Sequence, residues 1–410
     1  MKGVPAIPAA AQAGKLDETA PGHRFYLYLP LWTDANWEKA PDRKEHLSAK
    51  TEALNRVCPL PEHSVDCLNA LIDRQWALAD ALESDRRVSV MAQTTAPFVT
   101  GMGTPHPTEN GFAFLSPYGL PYLAGSGIKG VLRRAAEELA EAGEAAWSLP
   151  AIWWLFGFEV PPDAGAARRL ADRLDPADPL LAAFAERALP REPDPTTSLR
   201  MKVQTKQDAR EIHVAGTLEF WDAWLNPADQ RLDLDILTPH QGQYTQGQAD
   251  APTEDGAPTP VPFLVVPPRS TLTFHIARRD GDALPDPLAS AWPEMLRAVL
   301  RHAFDWLGFG AKTALGYGAM AEITPPPKRD AGDDWLDAKL QELMAANRAS
   351  EKDTLRGKPL AEAWQAIDDP DLKDKALGAI KRRWAAEGWG DRPPGGKAVK
   401  RALEIYEGGA

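Results

Sequence analysis

The sequence has few cysteines, no long apolar run and no excess of positive charge. Its 410 residues include only two cysteines, Cys58 and Cys67, too few for a disulfide framework. No stretch approaches the roughly 18 consecutive apolar residues that a membrane helix needs. Proline and acidic residues interrupt the N-terminus before any signal-peptide core can form. We therefore expect a soluble cytoplasmic protein with no membrane partner.

The charge balance limits how the chain can meet nucleic acid. With 46 basic and 58 acidic residues the net charge is −12, which excludes a protein coated with basic patches. Any site for a polyanion must be local. The 44% hydrophobic and 25% charged fractions are typical of a globular protein. The 38 prolines, about 9% of the chain against a usual ~5%, indicate loops and insertions.

Hydrophobic periodicity divides the chain into three regions. Residues 1–85 form an irregular annex that ends in a helix, 86–327 alternate strands with amphipathic helices, and 328–410 have the pattern of short helices. In the middle region the order strand, hairpin and helix occurs about twice. This order predicts an α+β protein with one or two ferredoxin-like, RRM-like lobes and a C-terminal helical appendage.

Within the middle region two amphipathic helices stand out, at about 128–146 and 292–307. Segments rich in Pro, Ala, Asp, Gln and Gly interrupt the strands at about 161–198 and 245–261. We predict that both segments are insertions.

A glycine motif precedes the first of these helices. Gly125-Ser-Gly-Ile-Lys-Gly matches the GxGxxG fingerprint of dinucleotide-binding folds, but no buried parallel strand leads into it and no ribose-binding acid follows at the right distance. Free amides at a helix N-terminus, with bases one turn apart, favour a phosphate cradle instead. The alternative is a tight turn with solvated bases. The predicted contacts are Gly125, Ser126, Gly127, Ile128, Lys129, Gly130, Arg133 and Arg134.

A second glycine cluster follows the other helix, from Gly308 to Gly318. It is not a Walker A loop, because Ala311 stands where that motif requires glycine before Lys312, and because the cluster follows its helix. Backbone amides, one cation and an aromatic ring suit contact with another polymer's backbone. A glycine-rich connection without a ligand is the alternative. The predicted contacts are Gly308, Gly310, Lys312, Thr313, Gly316, Tyr317 and Gly318.

Other basic and polar residues are weaker candidates for RNA contact. Arg200, Lys202 and Lys206 alternate with apolar residues, which predicts a strand with one basic face. His240 and Tyr244 lie in a turn-like segment that would contact RNA or a neighbouring subunit, or only solvent.

The appendage carries a local concentration of positive charge. Between Lys373 and Arg401 nine basic residues face three acidic ones, so the local charge is +9 − 3 = +6, and Trp384 and Trp389 are interleaved with them. This contrast with the acidic chain predicts a docking surface for RNA or an acidic subunit. The alternative is a self-contained bundle with an exposed basic side.

Catalytic and metal-binding patterns are weak. His106, His213 and His240 are candidate general acids or bases, and Asp208, Asp222 and Asp235 are candidate metal ligands, but no spacing singles one out. The set Cys58, His63 and Cys67 lacks the paired spacing of a structural zinc site. We therefore expect no catalytic residue, metal or cofactor.

The two glycine clusters, in this order, resemble the RAMP superfamily of CRISPR-associated proteins. The segments Leu232-Asp-Leu-Asp-Ile-Leu-Thr-Pro-His-Gln-Gly-Gln-Tyr and Pro262-Phe-Leu-Val-Val-Pro-Pro narrow the resemblance to one subunit type of type III-B (Cmr) effector complexes. The similarity covers about 87–323.

This resemblance implies a role and a set of partners. It implies an RNA-recognition-like fold, a non-catalytic role in holding guide RNA near its 3′ side at the end of the subunit filament, and guide RNA, target RNA and other Cmr subunits as partners. Related cleaving subunits carry an aspartate on the loop after the first strand. The corresponding loop here, 100–111, has His106 and Glu109 but no aspartate. A ribonuclease that processes guide RNA or cleaves target RNA is the alternative.

Overall fold

A computed structural model describes residues 18–32, 49–144, 146–161, 163–205, 212–238, 260–281, 283–325 and 330–408. The chain separates into two compact units, residues 1–324 and 325–410. The sequence pattern predicts that the appendage starts at residue 328. Residues predicted as a separate annex, including Phe25, Leu54 and Leu68, share the main hydrophobic core of the first unit.

The first unit contains nine α-helices and eleven strands among its described residues. The helices are α1 Pro21–Tyr26, α2 Ala49–Asn55, α3 Glu62–Asp80, α4 Gly125–Glu141, α5 Leu149–Phe156, α6 Ala164–Asp172, α7 Pro179–Ala188, α8 Pro195–Thr205 and α9 Leu288–His302. The strands are β1 Arg87–Thr94, β2 Phe114–Leu115, β3 Leu120–Leu123, β4 Gly157–Glu159, β5 His213–Ala215, β6 Leu218–Phe220, β7 Ala223–Trp224, β8 Asp233–Leu237, β9 Val261–Val265, β10 Thr271–Arg278 and β11 Met320–Ile323.

A four-stranded antiparallel sheet, in the order β11-β1-β10-β6, organises this unit. Alternate residues of β1 are buried, as the period of two in its sequence predicts. Val90 faces Phe274 across the β1–β10 pair, and helices α4 and α9 pack beside this sheet. A π-helical turn, Ala303–Leu307, continues α9 and brings Phe304 within 5.5 Å of the Phe274 ring. The predicted α+β fold class is thereby confirmed.

The other face of the central strand carries a buried histidine. His275 on β10 is 3% exposed, and its Nδ1 lies 2.9 Å from Ser89 Oγ on the neighbouring strand. The indole of Trp76, from α3, meets the imidazole edge-on at 4.8 Å, and Trp221 lies at 5.6 Å. Helix α3 and the residues after β6 therefore cover part of this sheet face.

Three further small sheets surround the main one: β2-β3-β7, β4-β5 and β8-β9. The region predicted as an insertion at about 161–198 contains α6 and α7 and the start of α8. Buried apolar residues, including Ala171, Phe184 and Leu199, join these helices to the main core. The insertion is thus a packed helical subregion.

The strand predicted around residues 199–206 is wrong, because α8 occupies this stretch up to Thr205. Leu199 and Val203 are buried one helical turn apart, whereas Met201, which a strand would have buried with them, is 58% exposed. The buried residues of this segment are four positions apart, as in a helix, and not two apart, as in a strand.

The second unit is a bundle of helices with its own core. Its members are α10 Ala331–Asn347, α11 Glu351–Leu355, α12 Lys358–Gln365, α13 Pro370–Ala386 and α14 Lys397–Gly408. Trp364, Trp384 and Tyr406 meet at the centre, with ring centroids 5.1 and 5.4 Å from Tyr406. In the parts of both units that the structure describes, no helix is long and apolar enough to cross a bilayer.

Candidate nucleic-acid interface

An aspartate of the protein itself caps the first glycine motif. Helix α4 begins at Gly125, earlier than predicted, and the Gly125 amide donates to Asp222 Oδ1 at 2.7 Å. The amides of Gly127 and Ile128 donate to the Ala124 carbonyl, at 2.9 and 3.1 Å. The predicted cradle of free amides at this helix start is therefore largely closed. Sequence inspection missed the cap because Asp222 lies almost a hundred residues away.

The glycine at the helix start has a structural reason. A Cβ on Gly125 would lie 2.1 Å from the Phe220 carbonyl oxygen, so close packing against β6 requires glycine here. Gly130, by contrast, borders open space, and Ser126 and Gly127 are exposed. Ile128 is buried in the core and cannot contact RNA through its side chain. The first motif thus combines packing glycines with an exposed stretch beside Lys129.

Three cations converge beside this helix. Lys129 and Arg133 lie one turn apart on α4, and Arg279 follows β10. Burial lowers the pKa of Lys129, and repulsion from Arg133 and Arg279 lowers it further. Among the described residues, no carboxylate contributes to the shift in the Lys129 pKa. This trio, Lys129, Arg133 and Arg279, is hereafter the cation cluster.

Backbone carbonyls hold the two guanidinium groups of the cation cluster. Arg133 Nη1 donates to the Gly157 carbonyl at 3.4 Å, and Arg279 Nη2 donates to the Gly216 carbonyl. Gly157 and Gly216 lie against each other, since a Cβ on Gly216 would sit 2.5 Å from the Gly157 nitrogen. The acids nearby only partly balance the charge: Glu137 pairs with Arg133 at 3.1 Å and Glu219 with Arg279 at 3.9 Å.

Arg134, the remaining base of the first motif, has acidic neighbours. Its guanidinium lies 3.0 Å from Glu138 and 4.0 Å from Glu137 on the same helix, and it is more than half exposed. Glu138 also meets His302 at 2.8 Å. Such pairs at helical spacing contribute only a few tenths of a kcal/mol. Arg134 therefore borders the cation cluster and shares Glu137 with Arg133.

The second glycine cluster packs against the protein's own backbone. The Gly318 amide donates to the Pro97 carbonyl at 2.8 Å, and the Ala311 amide to the Val99 carbonyl at 2.7 Å. Gly310 and Gly318 have φ of 89° and 72°, and a Cβ on Gly310 would lie 2.2 Å from the Val99 oxygen. These glycines are explained by intramolecular packing. Gly308, with φ of 67°, likewise packs close to the Tyr317 and Gly318 carbonyls.

The tip of this loop faces outward. Thr313–Leu315 forms a single 3₁₀ turn after Lys312, Gly316 borders open space, and Leu315 is 71% exposed. The two long side chains at the base of the tip are turned inward. Lys312 Nζ lies 5.4 Å from the Phe263 ring centroid, and the Tyr317 hydroxyl donates to Asp235 Oδ2 at 2.5 Å. Burial and Asp235 raise the pKa of Tyr317 to about 12.

Tyr317 therefore holds the end of the glycine loop against its neighbours, since its ring packs near Phe263 and its hydroxyl is bound to Asp235. Together with Val99, Met102 and Ala311 it belongs to a small apolar cluster between the glycine loop, the segment after β1 and the β8–β9 hairpin. Contact of the loop with RNA stays a prediction.

The other sequence candidates do not form one surface. Arg200 and Lys202 lie on opposite flanks of the buried face of α8, and Lys202 pairs with Glu192 at 3.5 Å. The Arg200 Nε is buried and makes no hydrogen bond within the described residues. Lys206, His240 and Tyr244 lie outside the described residues, as does most of the predicted insertion at 245–261.

Part of the basic segment of the second unit is paired with carboxylates of the same unit. Arg382 contacts Asp330 and Asp333 at 3.2 and 2.7 Å, and Arg383 contacts Asp337 at 2.7 Å. Trp384 is 2% exposed, with its indole N–H donating to the Leu355 carbonyl. Trp384 therefore belongs to the core and offers no stacking surface, contrary to the expectation from the sequence.

The candidate catalytic histidine His106 has both ring nitrogens engaged. Nδ1 accepts from the Thr108 amide at 3.3 Å and lies 2.7 Å from the Thr108 hydroxyl, so Nε2 carries the proton and donates to the Phe25 carbonyl at 3.1 Å. The imidazole stacks on the Phe25 ring, with centroids 3.7 Å apart. These contacts fit a structural role.

The remaining candidates for catalysis or metal binding are dispersed. His213 is exposed on β5, Asp222 caps α4, and Asp208 lies outside the described residues. Burial raises the pKa of Cys58 to about 11, and its thiol donates to the Leu54 carbonyl. Across the described ranges, no three His, Cys, Asp or Glu side chains are grouped as a metal site would require.

Comparison with known proteins shows the family to which this chain belongs. The model of the RAMP superfamily matches residues 92–321, more than half of the chain. The chain belongs to the RAMP superfamily.

Within this superfamily the chain is similar to the Cmr6 subunit of the CRISPR system of Pyrococcus furiosus. The two are 28% identical over 256 residues, which cover 59% of this chain and 70% of that protein. This similarity confirms the resemblance to a Cmr subunit that the sequence motifs indicated.

Two solved structures are also similar. The cryo-EM structure of a type III-B Cmr-beta complex bound to cognate target RNA matches 67% of this chain and 71% of its own chain, with 18% identity and a TM-score of 0.39. The crystal structure of Cmr6 from Pyrococcus furiosus matches 58% and 98%, with 25% identity and a TM-score of 0.26.

Proposed function

We propose that this chain is a non-catalytic RNA-binding subunit of a type III-B CRISPR effector complex. It holds the backbone of the guide RNA near its 3′ side, caps the subunit filament and contacts other Cmr subunits and target RNA. Membership of the RAMP superfamily and similarity to a Cmr subunit support this role. The observation that carries it is the cation cluster on α4 and beyond β10.

The cation cluster has the chemistry of a phosphate site. Two guanidinium groups are fixed by carbonyl oxygens, so little side-chain entropy is lost when an anion arrives. Burial lowers the pKa of Lys129, and repulsion among the three cations lowers it further; a phosphate placed among them would offset that repulsion. Contact through phosphates alone is independent of base sequence, as holding a variable guide requires.

Binding of labelled single-stranded RNA, measured over a series of salt concentrations, tests this proposal. Lys129→Ala should weaken binding to every sequence alike and reduce the log–log salt slope by roughly 0.7, because one phosphate contact is lost. Lys339→Ala is the matched control, since Lys339 pairs with Glu342 in the second unit. An unchanged slope for Lys129→Ala would show that this lysine only meets solvent.

The ribonuclease alternative is tested with the same RNA in the presence and absence of Mg²⁺. Both ring nitrogens of His106 are held by hydrogen bonds, which supports a non-catalytic role. Specific cleavage that disappears in His106→Ala or His213→Ala would overturn the non-catalytic proposal in favour of a guide-processing or target-cleaving enzyme.

A further inference from the structure

A hollow lined by aromatic rings lies beside the loop that follows β1. Its volume is about 140 Å³, and it is formed by α1, the residues just after α1 and the loop tip at His106 and Pro107. Its lining residues are Phe25, Tyr26, Leu27, Leu29, Trp32, His106 and Pro107. The volume is below the ~300 Å³ at which sites for larger ligands begin, so it fits a single ring.

Two of the side chains that line the hollow, His106 and Tyr26, have their polar atoms engaged in hydrogen bonds. His106 stacks on Phe25 with an interplanar angle of 7°, and the Tyr26 ring stands edge-on to both. The Tyr26 hydroxyl donates to the Phe112 carbonyl. Because these polar atoms already have partners, His106 and Tyr26 contribute their rings to the hollow. Rings arranged in this way suit a planar group that stacks.

The hollow lies near the glycine loop. The segment 97–99 accepts hydrogen bonds from the glycine loop, and Met102, just beyond it, packs in the same apolar cluster as Ala311 and Tyr317. His106 is four residues after Met102, so at ~3.5 Å per residue it lies within about 14 Å of that cluster. An RNA strand that crosses the glycine loop therefore passes within reach of the hollow.

We propose that this hollow binds one unstacked nucleobase of the RNA strand, whose backbone the cation cluster and the glycine loop contact. The inference rests on the proposed function and adds to it a site for a base. Tyr26 and Leu27 at the hollow are 44% and 49% exposed, although both are large apolar side chains. A base stacked there would remove this surface from water, and every base has a face that can stack.

The test compares Trp32→Ala with Trp306→Ala in the full chain, using a short labelled single-stranded RNA. Trp306 is 77% exposed but does not line the hollow, so it controls for removal of an indole. Trp32→Ala should weaken binding about tenfold, with an unchanged salt slope because no phosphate contact is lost. Trp306→Ala should bind as the wild type does, and Trp32→Phe should restore most of the affinity.

The same RNA made with abasic positions completes the test as a double-mutant cycle. If Trp32 stacks on a base, Trp32→Ala should no longer matter for the abasic strand. Additive losses, or wild-type binding by Trp32→Ala, would overturn the base site while the Lys129→Ala result still supports the proposed function. Normal RNA binding with weaker assembly of Trp32→Ala into the complex would assign the hollow to a protein partner instead. Failure of the wild-type chain to bind RNA would refute the proposed function itself.

Discussion

The buried imidazole of His275 should make the stability of the first unit depend on pH. Burial, together with the positive charge of Arg87, lowers the pKa of His275 from 6.5 to about 4. Nδ1 lies 2.9 Å from Ser89 Oγ, and the described residues offer no partner for the buried Nε2. A proton added to this ring would be buried between two indoles without an anion to balance it.

The direction and size of the effect follow from proton linkage. Between about pH 4 and pH 6.5 the unfolded chain binds a proton at this position and the folded chain does not, so stability rises with pH across that window. The lowering of this pKa from 6.5 to about 4 corresponds to ~3 kcal/mol, and about 2 kcal/mol of it falls between pH 7 and pH 5. Above about pH 6.5 this residue adds no further dependence.

Urea unfolding followed by near-ultraviolet circular dichroism at pH 5 and pH 7 measures this dependence. His275→Asn cannot take up a proton, so its stability should fall less than the wild type's by about 2 kcal/mol over this interval. All other titrating groups are common to both proteins and cancel in the comparison. Parallel pH profiles for His275→Asn and the wild type would refute the reasoning.

Two further predictions follow from the glycine loop and from the second unit. Gly310→Ala should lower the free energy of unfolding in urea by ~1–3 kcal/mol, because a Cβ there meets the Val99 carbonyl oxygen. Gly316→Ala has a similar φ but lies in open space, so it should lower the free energy of unfolding less. Equal losses in the two variants would contradict the role of the Val99 contact. Truncation after Pro327 should leave the first unit folded, because the two cores are separate, but should weaken assembly into the complex at about 0.15 M salt. Assembly as tight as that of the full chain would show that the second unit has no docking role.

The sequence alone predicted the features that depend on local periodicity. The alternation in β1, the amphipathic faces of α4 and α9 and the helices of the second unit are all visible as spacings of apolar residues. The sequence also showed the two glycine motifs, and with them the resemblance to the superfamily and the position of Lys129, because a short motif consists of consecutive residues. Helix α8 was missed because Met201 resembles a buried strand residue but is exposed.

The contacts that define the candidate site join residues distant in the chain, and only the tertiary structure shows them. Asp222 closes the start of α4 across 97 positions of sequence, and Arg279 joins Lys129 and Arg133 because the end of β10 lies beside that helix. Tyr317, whose contact with RNA stays a prediction, is held by Asp235, 82 positions earlier. The sequence determined which residue types were available and where each element forms. The packing of sheet, helices and loops determined which charges meet, because that depends on distances in space that no local pattern encodes.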